Sequence, residues 1–284
     1  MEQRALGDRC VSALGMGGAQ WSLSASADDQ QSEALLLLAL RNGVTYIDTA
    51  TAYTTAEAAS HNEKLIARVL SRNDFDVVVG TKAGHFRDGS SWFIDGRPES
   101  IRAHCEASLT ALGVGELDLL YLHKPDPLVP FEDSVGELEN LRREGKTVRT
   151  GISNVSRAQF EIATTITPLS AIQNPFSPFN RQGVDLMRAC ERVNVAYFAY
   201  SPLGGEGRPS SLESVLPETN RVALKKHVSL QSVILSWELA LSPVVIPIIG
   251  ASRKETLLDA LTASPELLDE ELRRALEADL EMAE

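Results

Sequence analysis

Cysteine is scarce: Cys10, Cys105 and Cys190 stand far apart, are odd in number and form no CxxC or Cys/His spacing. That argues against a disulfide scaffold and a zinc site. The three read instead as small buried apolar residues. Long apolar runs are also missing. The run Ala34 to Leu40 falls far short of the roughly 18 to 20 residues a membrane-spanning helix needs. The first residues, MEQRALGDRC, lack the apolar core of a signal peptide, and a cytoplasmic location is expected. Positive charge is in deficit, with 27 Lys and Arg against 39 Asp and Glu, a net of -12 and a pI near 5.0. Nucleic acid and anionic membranes are therefore not expected as partners. Internal repeats and low-complexity segments are absent. What remains is a chain of 284 residues with 43% hydrophobic and 23% charged residues, enough to bury a large core.

Short β-rich runs alternate with stretches whose apolar residues recur at three- and four-residue spacing. A capping hairpin is expected within Arg4 to Val11, then a strand at 13–17 and a helix from Asp28-Asp29 to Arg41-Asn42-Gly43. Next come a strand at 45–47 with a helix at 63–70, and a strand at 77–79 with a helix at 98–112. The fourth strand, 117–122, is mostly apolar, as befits a parallel strand buried on both faces, and its helix runs from 131 to 143. Strands at 148–152, 171–172, 195–200 and 244–249 follow, with helices near 184–192, 230–241 and 255–261 and an amphipathic helix at 268–280. The count predicts a (β/α)8 TIM barrel with an N-terminal capping hairpin and a C-terminal helix, one domain over residues 1–284. An open doubly wound sheet fits the same alternation. Its dinucleotide fingerprint GxGxxG is incomplete here, because Gly15 and Gly17 are followed by Gln20 in the third glycine's place.

Barrel active sites sit at the carboxyl ends of the strands. Polar groups there are Asp48 after strand two, Tyr53 in the following loop, Lys82 after strand three and His123 after strand four. Taken singly, Asp48 can be a helix cap, Tyr53 a packed loop residue, Lys82 a solvated cation and His123 a hydrogen-bonded core residue. Jointly they make a proton-transfer site. A free tyrosine near pKa 10 is too weak an acid at neutral pH, and Lys82 would stabilise its phenolate. Asp48 would hold the Lys82 ammonium, and His123 would donate to a carbonyl oxygen. Tyr53 is then the general acid for carbonyl reduction, and a bound hydride donor completes the site.

Ile47-Asp48-Thr49-Ala50 with Tyr53, Thr81-Lys82 and Asp118 to His123 resemble the Asp, Tyr, Lys, His tetrad of the aldo-keto reductases, NAD(P)H-dependent (β/α)8 barrels. The resemblance continues through Gly151-Ile152-Ser153-Asn154, Ile172-Gln173-Asn174 and Tyr200-Ser201-Pro202-Leu203-Gly204. It implies that Ser153, Asn154 and Gln173 bond the nicotinamide carboxamide and that Tyr200 stacks on its ring. In the glycine-rich segment from Ser201 to Ser211, Ser201, Leu203 and Gly204 would approach the pyrophosphate. Gly250, Ser252 and Arg253 resemble the segment for the adenosine 2'-phosphate, which implies NADPH (NADP+) as cofactor and a small-molecule carbonyl as substrate.

The chain departs from its relatives at Ala260, where an asparagine often lies near the adenine, and at Thr54, where glycine commonly follows the tyrosine. His61 reads as a solvated loop residue. Trp21, Trp92 and Lys124 are candidate pocket walls, and Trp92-Phe93 are placed in the loop after strand three. Two other functions compete: an NADP(H)-binding redox sensor or regulatory subunit with little turnover, and a metal-dependent hydrolase. The intact tetrad argues against the sensor. The hydrolase needs clustered ligands at strand ends, where only His123 and His85 are near.

Overall fold

The computed structural model describes residues 1–56, 58–205 and 211–282. In chain order it contains β1 (Gln3–Leu6), β2 (Arg9–Ser12), β3 (Gly15–Gly17), α1 (Gln20–Leu23), α2 (Asp29–Arg41), β4 (Tyr46–Asp48), α3 (His61–Leu70) and β5 (Val78–Ala83). Then follow β6 (His85–Asp88), β7 (Ser91–Ile94), α4 (Pro98–Leu112), β8 (Leu117–Leu122), α5 (Phe131–Arg143), β9 (Thr147–Ser153), α6 (Arg157–Ile166) and β10 (Leu169–Pro175). The last elements are α7 (Val184–Arg192), β11 (Ala196–Tyr200), α8 (Leu212–Val215), α9 (Pro217–Lys225), α10 (Leu230–Leu241), β12 (Val245–Ile249), α11 (Lys254–Ala260) and α12 (Glu270–Met282). Among the described residues no helix is long and apolar enough to cross a membrane.

Strands β3, β4, β5, β8, β9, β10, β11 and β12 pair in parallel and close into a barrel, β12 returning to β3. Closure excludes the open doubly wound sheet. The β1–β2 hairpin plugs the amino-terminal end, where Leu6 and Val11 join the interior cluster of Tyr46, Tyr121 and Phe198. Arg4 ties the plug in place by donating to the carbonyls of Leu239, Ser242 and Val245.

Large rings fill the barrel because glycines stand opposite them. Tyr46 stacks on Phe198 at 4.1 Å, and its hydroxyl lies 3.1 Å from that of Tyr121. A Cβ on Gly80 would meet the Tyr46 hydroxyl at 2.3 Å, and one on Gly151 would meet the Tyr121 ring at 2.5 Å. Outside the barrel, the apolar faces of α4, α5, α6 and α7 pack on the strands with Leu120, Ile152 and Ile172.

Most elements fall within a few residues of their sequence-based bounds. The helix α6 was not expected, although its start carries a full capping box between Ser156 and Gln159. The β6–β7 hairpin was expected as plain loop; its two strands pair from His85↔Ile94 to Asp88↔Ser91. The cysteines divide: Cys105 and Cys190 are buried, whereas Cys10 is exposed on β2 and is not the buried apolar residue expected.

Candidate active site

Parallel pairing gathers the strand ends. Asp48 ends β4 opposite Gly80, Lys82 lies on β5 opposite Tyr121, and His123 follows β8 with its backbone N–H donating to Ala83 at 2.8 Å. Tyr53 sits in the loop after β4, held by its N–H to Ala50 and by its carbonyl accepting from Asn62. All four side chains are buried: 0% exposed for Lys82, 4% for Asp48 and 8% for both Tyr53 and His123.

The Lys82 ammonium donates to Asp48 Oδ1, Asp48 Oδ2 and the Thr49 carbonyl, each at 2.7 Å. Burial pushes Asp48 up and Lys82 down, while each holds the other in its charged form. Lys82 Nζ lies 5.2 Å from the centre of the Tyr53 ring. Even so, the phenol is pushed well above its usual range, by burial first and then by Asp48 and Tyr200. Burial outweighs the lowering expected from Lys82. Tyr53 is therefore protonated at neutral pH. Burial, Lys82 and His85 drive His123 well below the usual imidazole range, so its ring is neutral.

A second histidine, which sequence reasoning weighed only as a metal ligand, joins the first. Gly84 takes a left-handed φ of 87°, a turn a side chain resists, and the chain passes from β5 into the hairpin with His85 pointing inward. The His85 and His123 ring centres are 4.4 Å apart. Trp92 on β7 reaches across them, edge-on to Tyr53, His85 and His123 at 6.5, 5.9 and 6.2 Å. Arg87 stacks over Trp92 at 5.4 Å and donates to the Thr54 carbonyl at 3.1 Å, tying the hairpin to the Tyr53 loop. The signal available in the sequence was the alternation across His85 to Ile94 around Gly89, a short-hairpin pattern.

The expected cofactor residues line the next strand ends. Ser153 donates to the Gln173 carbonyl at 2.7 Å, and Gln173 Nε2 donates to Asp48 Oδ1 at 2.6 Å. Asn154, with a left-handed φ of 59°, donates to the His123 carbonyl at 2.9 Å and accepts from the Tyr200 hydroxyl at 2.7 Å. The Tyr200 ring is thereby fixed while remaining partly exposed. Ser201, Leu203 and Gly204 follow β11, and the left-handed glycines Gly204 and Gly205 end its described part. Residues 206–210 of the glycine-rich segment lie outside the described residues. Gly250, Ser252 and Arg253 are exposed after β12, and the Ser252 carbonyl accepts from Gln31.

The remaining candidates are dispersed. Trp21 is buried in α1, with its indole N–H unpartnered, and Lys124 is exposed on the loop after β8. His61 is not a solvated loop residue; it starts α3 and bridges Ser22 and Asp29, both at 2.9 Å. A cleft of about 500 Å³ between α9 and α12, lined by Glu218, Arg221 and Arg274 among others, contains none of the strand-end side chains.

Residues 13–279 match the profile of the Aldo/keto reductase family. The chain is 28% identical over 267 residues to an uncharacterized oxidoreductase of Schizosaccharomyces pombe, an alignment covering 91% of this chain and 83% of that protein. It is 29% identical over 299 residues to a probable aldo-keto reductase of Glycine max, covering 94% and 85%. Among solved structures, a glycerol dehydrogenase from Gluconobacter oxydans superposes with a TM-score of 0.83 at 25% identity, over 99% of this chain and 95% of that one. A thermostable aldo-keto reductase in complex with the inhibitor epalrestat superposes with a TM-score of 0.80 at 26% identity, over 98% and 100%.

Proposed function

The chain belongs to the aldo/keto reductase family, and from that premise we propose that it reduces an aldehyde or ketone with NADPH, with Tyr53 as the proton donor. The observation that carries this reading is the buried constellation of Tyr53, Lys82, Asp48 and His123, in which a protonated phenol lies beside a bidentate ion pair and a neutral imidazole.

The residues present fit the cofactor. The donors of Asn154 and Ser153 are taken within the protein, and the remaining lone pairs of Asn154 Oδ1 and Ser153 Oγ can accept from a carboxamide N–H, while the anchored, partly exposed Tyr200 ring offers a plane against which a nicotinamide can lie. Gln173 would complete the carboxamide contacts from beside Asp48. Ser201, Leu203 and Gly204 would hold the pyrophosphate. Gly250, Ser252 and Arg253 would hold a 2'-phosphate through a hydroxyl and a planar cationic fork, which favours NADPH over NADH. When bound, the cofactor supplies a hydride to the substrate carbon.

The protein's own groups handle the oxygen. His123 and Tyr53, with ring centres 6.0 Å apart, bracket the place for a carbonyl oxygen. The histidine donates a hydrogen bond that orients it, and the tyrosine hydroxyl transfers its proton as negative charge develops there. Lys82 stabilises the phenolate that remains, and Asp48 keeps the ammonium in register. Trp92 screens the site from water.

The test is oxidation of NADPH against a panel of aldehydes, ketones and keto-sugars, comparing the parent with Tyr53→Phe. Loss of the proton donor should cost about 10²- to 10⁴-fold in rate with cofactor binding retained. Full activity in Tyr53→Phe refutes the mechanism. A parent that binds NADPH tightly and reduces nothing would be a sensor.

A further inference from the structure

His85 at the barrel mouth takes no part in the carbonyl reduction described above. His85 is 9% exposed, and among the described residues its side chain makes no hydrogen bond; its Nδ1 is shut away from solvent without a partner. A buried imidazole in that condition costs stability that an apolar side chain of similar shape would not. Resting on the functional reading above, we propose that His85 selects carbonyl substrates that carry a hydroxyl on the carbon next to the carbonyl, by donating a hydrogen bond to that hydroxyl oxygen.

The tautomers follow from burial. Nδ1 is sequestered and unpartnered in both His85 and His123, and an orphaned buried acceptor is better tolerated than an orphaned N–H. Each ring therefore carries its proton on Nε2, the edge left for a ligand. Both rings are neutral at pH 7, His85 because burial, with Lys124 and His104, lowers it to about 4. The site thus presents two neighbouring N–H donors.

Their order matches a substrate with two adjacent oxygens. The rings run Tyr53, His123, His85, with centres separated by 6.0 and then 4.4 Å. An oxygen placed between Tyr53 and His123 is the reacting carbonyl, and the next oxygen along the carbon chain falls to His85. Trp92, 46% exposed and braced by Arg87, gives the intervening C–H groups an apolar wall. An alkyl aldehyde would leave the His85 donor unpaired beneath it.

The experiment compares kcat/KM for 2-hydroxypropanal and propanal, which differ by one hydroxyl, in the parent, His85→Phe and His85→Gln. Thermal melts confirm folding, and titration with NADPH confirms cofactor binding. The parent should prefer 2-hydroxypropanal. His85→Phe should lower the ratio of the two values about tenfold, the worth of one hydrogen bond, and His85→Gln, which keeps an N–H donor, should restore part of it. A parent without that preference, or a ratio unmoved in a folded His85→Phe, overturns the assignment and leaves carbonyl reduction standing. Reduction of neither aldehyde, nor of any other carbonyl, overturns both.

Discussion

Replacing Asp48 with asparagine isolates the charge on which the site depends, since the side chain keeps nearly the same shape. Lys82 is fully buried and its ammonium spends two of its three contacts on Asp48, each at 2.7 Å. Removing one partner of a buried pair leaves an uncompensated charge and costs about 3 to 5 kcal/mol. For a chain of this size that corresponds to a fall of roughly 6 to 20 °C in Tm. The loss should depend on pH in a defined direction. Burial already lowers Lys82 in the folded parent, and without Asp48 it falls further, whereas in the unfolded chain a lysine titrates near 10.4. Between the two values the unfolded state binds more protons, so the stability of Asp48→Asn rises with pH. The deficit should be largest at pH 7 and shrink as pH approaches 10. Melts of the parent, Asp48→Asn and Asp48→Asn/Lys82→Met from pH 7 to 9.5 test this, because the double variant lacks the titrating amine and should show no such extra slope. If Asp48→Asn melts within a degree or two of the parent at pH 7, or tracks the double variant at every pH, then Asp48 does not carry the Lys82 charge.

Two other perturbations probe the cofactor rim and the barrel interior. Arg253→Ala should raise the Kd for NADPH about ten- to hundredfold, the value of a hydrogen bond to a charged group, and leave that for NADH nearly unchanged; equal effects in fluorescence titrations would remove Arg253 from the phosphate site. Gly151→Ala puts a methyl 2.5 Å from the Tyr121 ring, with the Ala171 carbonyl only 3.1 Å away on the other side. Overpacking of that kind costs about 1 to 3 kcal/mol, and an unchanged denaturation midpoint would show that the barrel interior yields more readily than its ring stacking implies.

The barrel was legible because its strands are buried on both faces and its helices are amphipathic, so apolar runs such as Leu117 to Leu122 and periodic stretches such as 131 to 143 declare themselves locally. The helix α6 is not legible in the sequence because its cap at Ser156 lies close behind the polar strand end Ser153-Asn154 of β9 and only Phe160 and Ala163 of its residues are buried. The β6–β7 hairpin was hidden for a different reason. Its outward residues Phe86 and Phe93 are exposed and stack on each other, and the alternation of inward and outward faces has meaning only once the barrel mouth is there to face.

The four strand-end groups follow from sequence because strand number and the carboxyl-end rule place them on one rim whatever the details of packing. Their protonation does not. Tyr53 was expected to be lowered by Lys82, yet burial raises it, and how much water a side chain loses is set by every element packed around it. The pairing of His85 with His123 is likewise a product of the fold, since they lie 38 positions apart in the chain and only the β5–β8 register and the turn at Gly84 bring their rings within 4.4 Å. Sequence by itself determined the barrel strands, most of their helices and which chemistry stands at the strand ends, because those depend on local pattern. Only tertiary structure decided which donors are free, which are spent and which carry a proton, because those depend on burial and on neighbours remote in the chain.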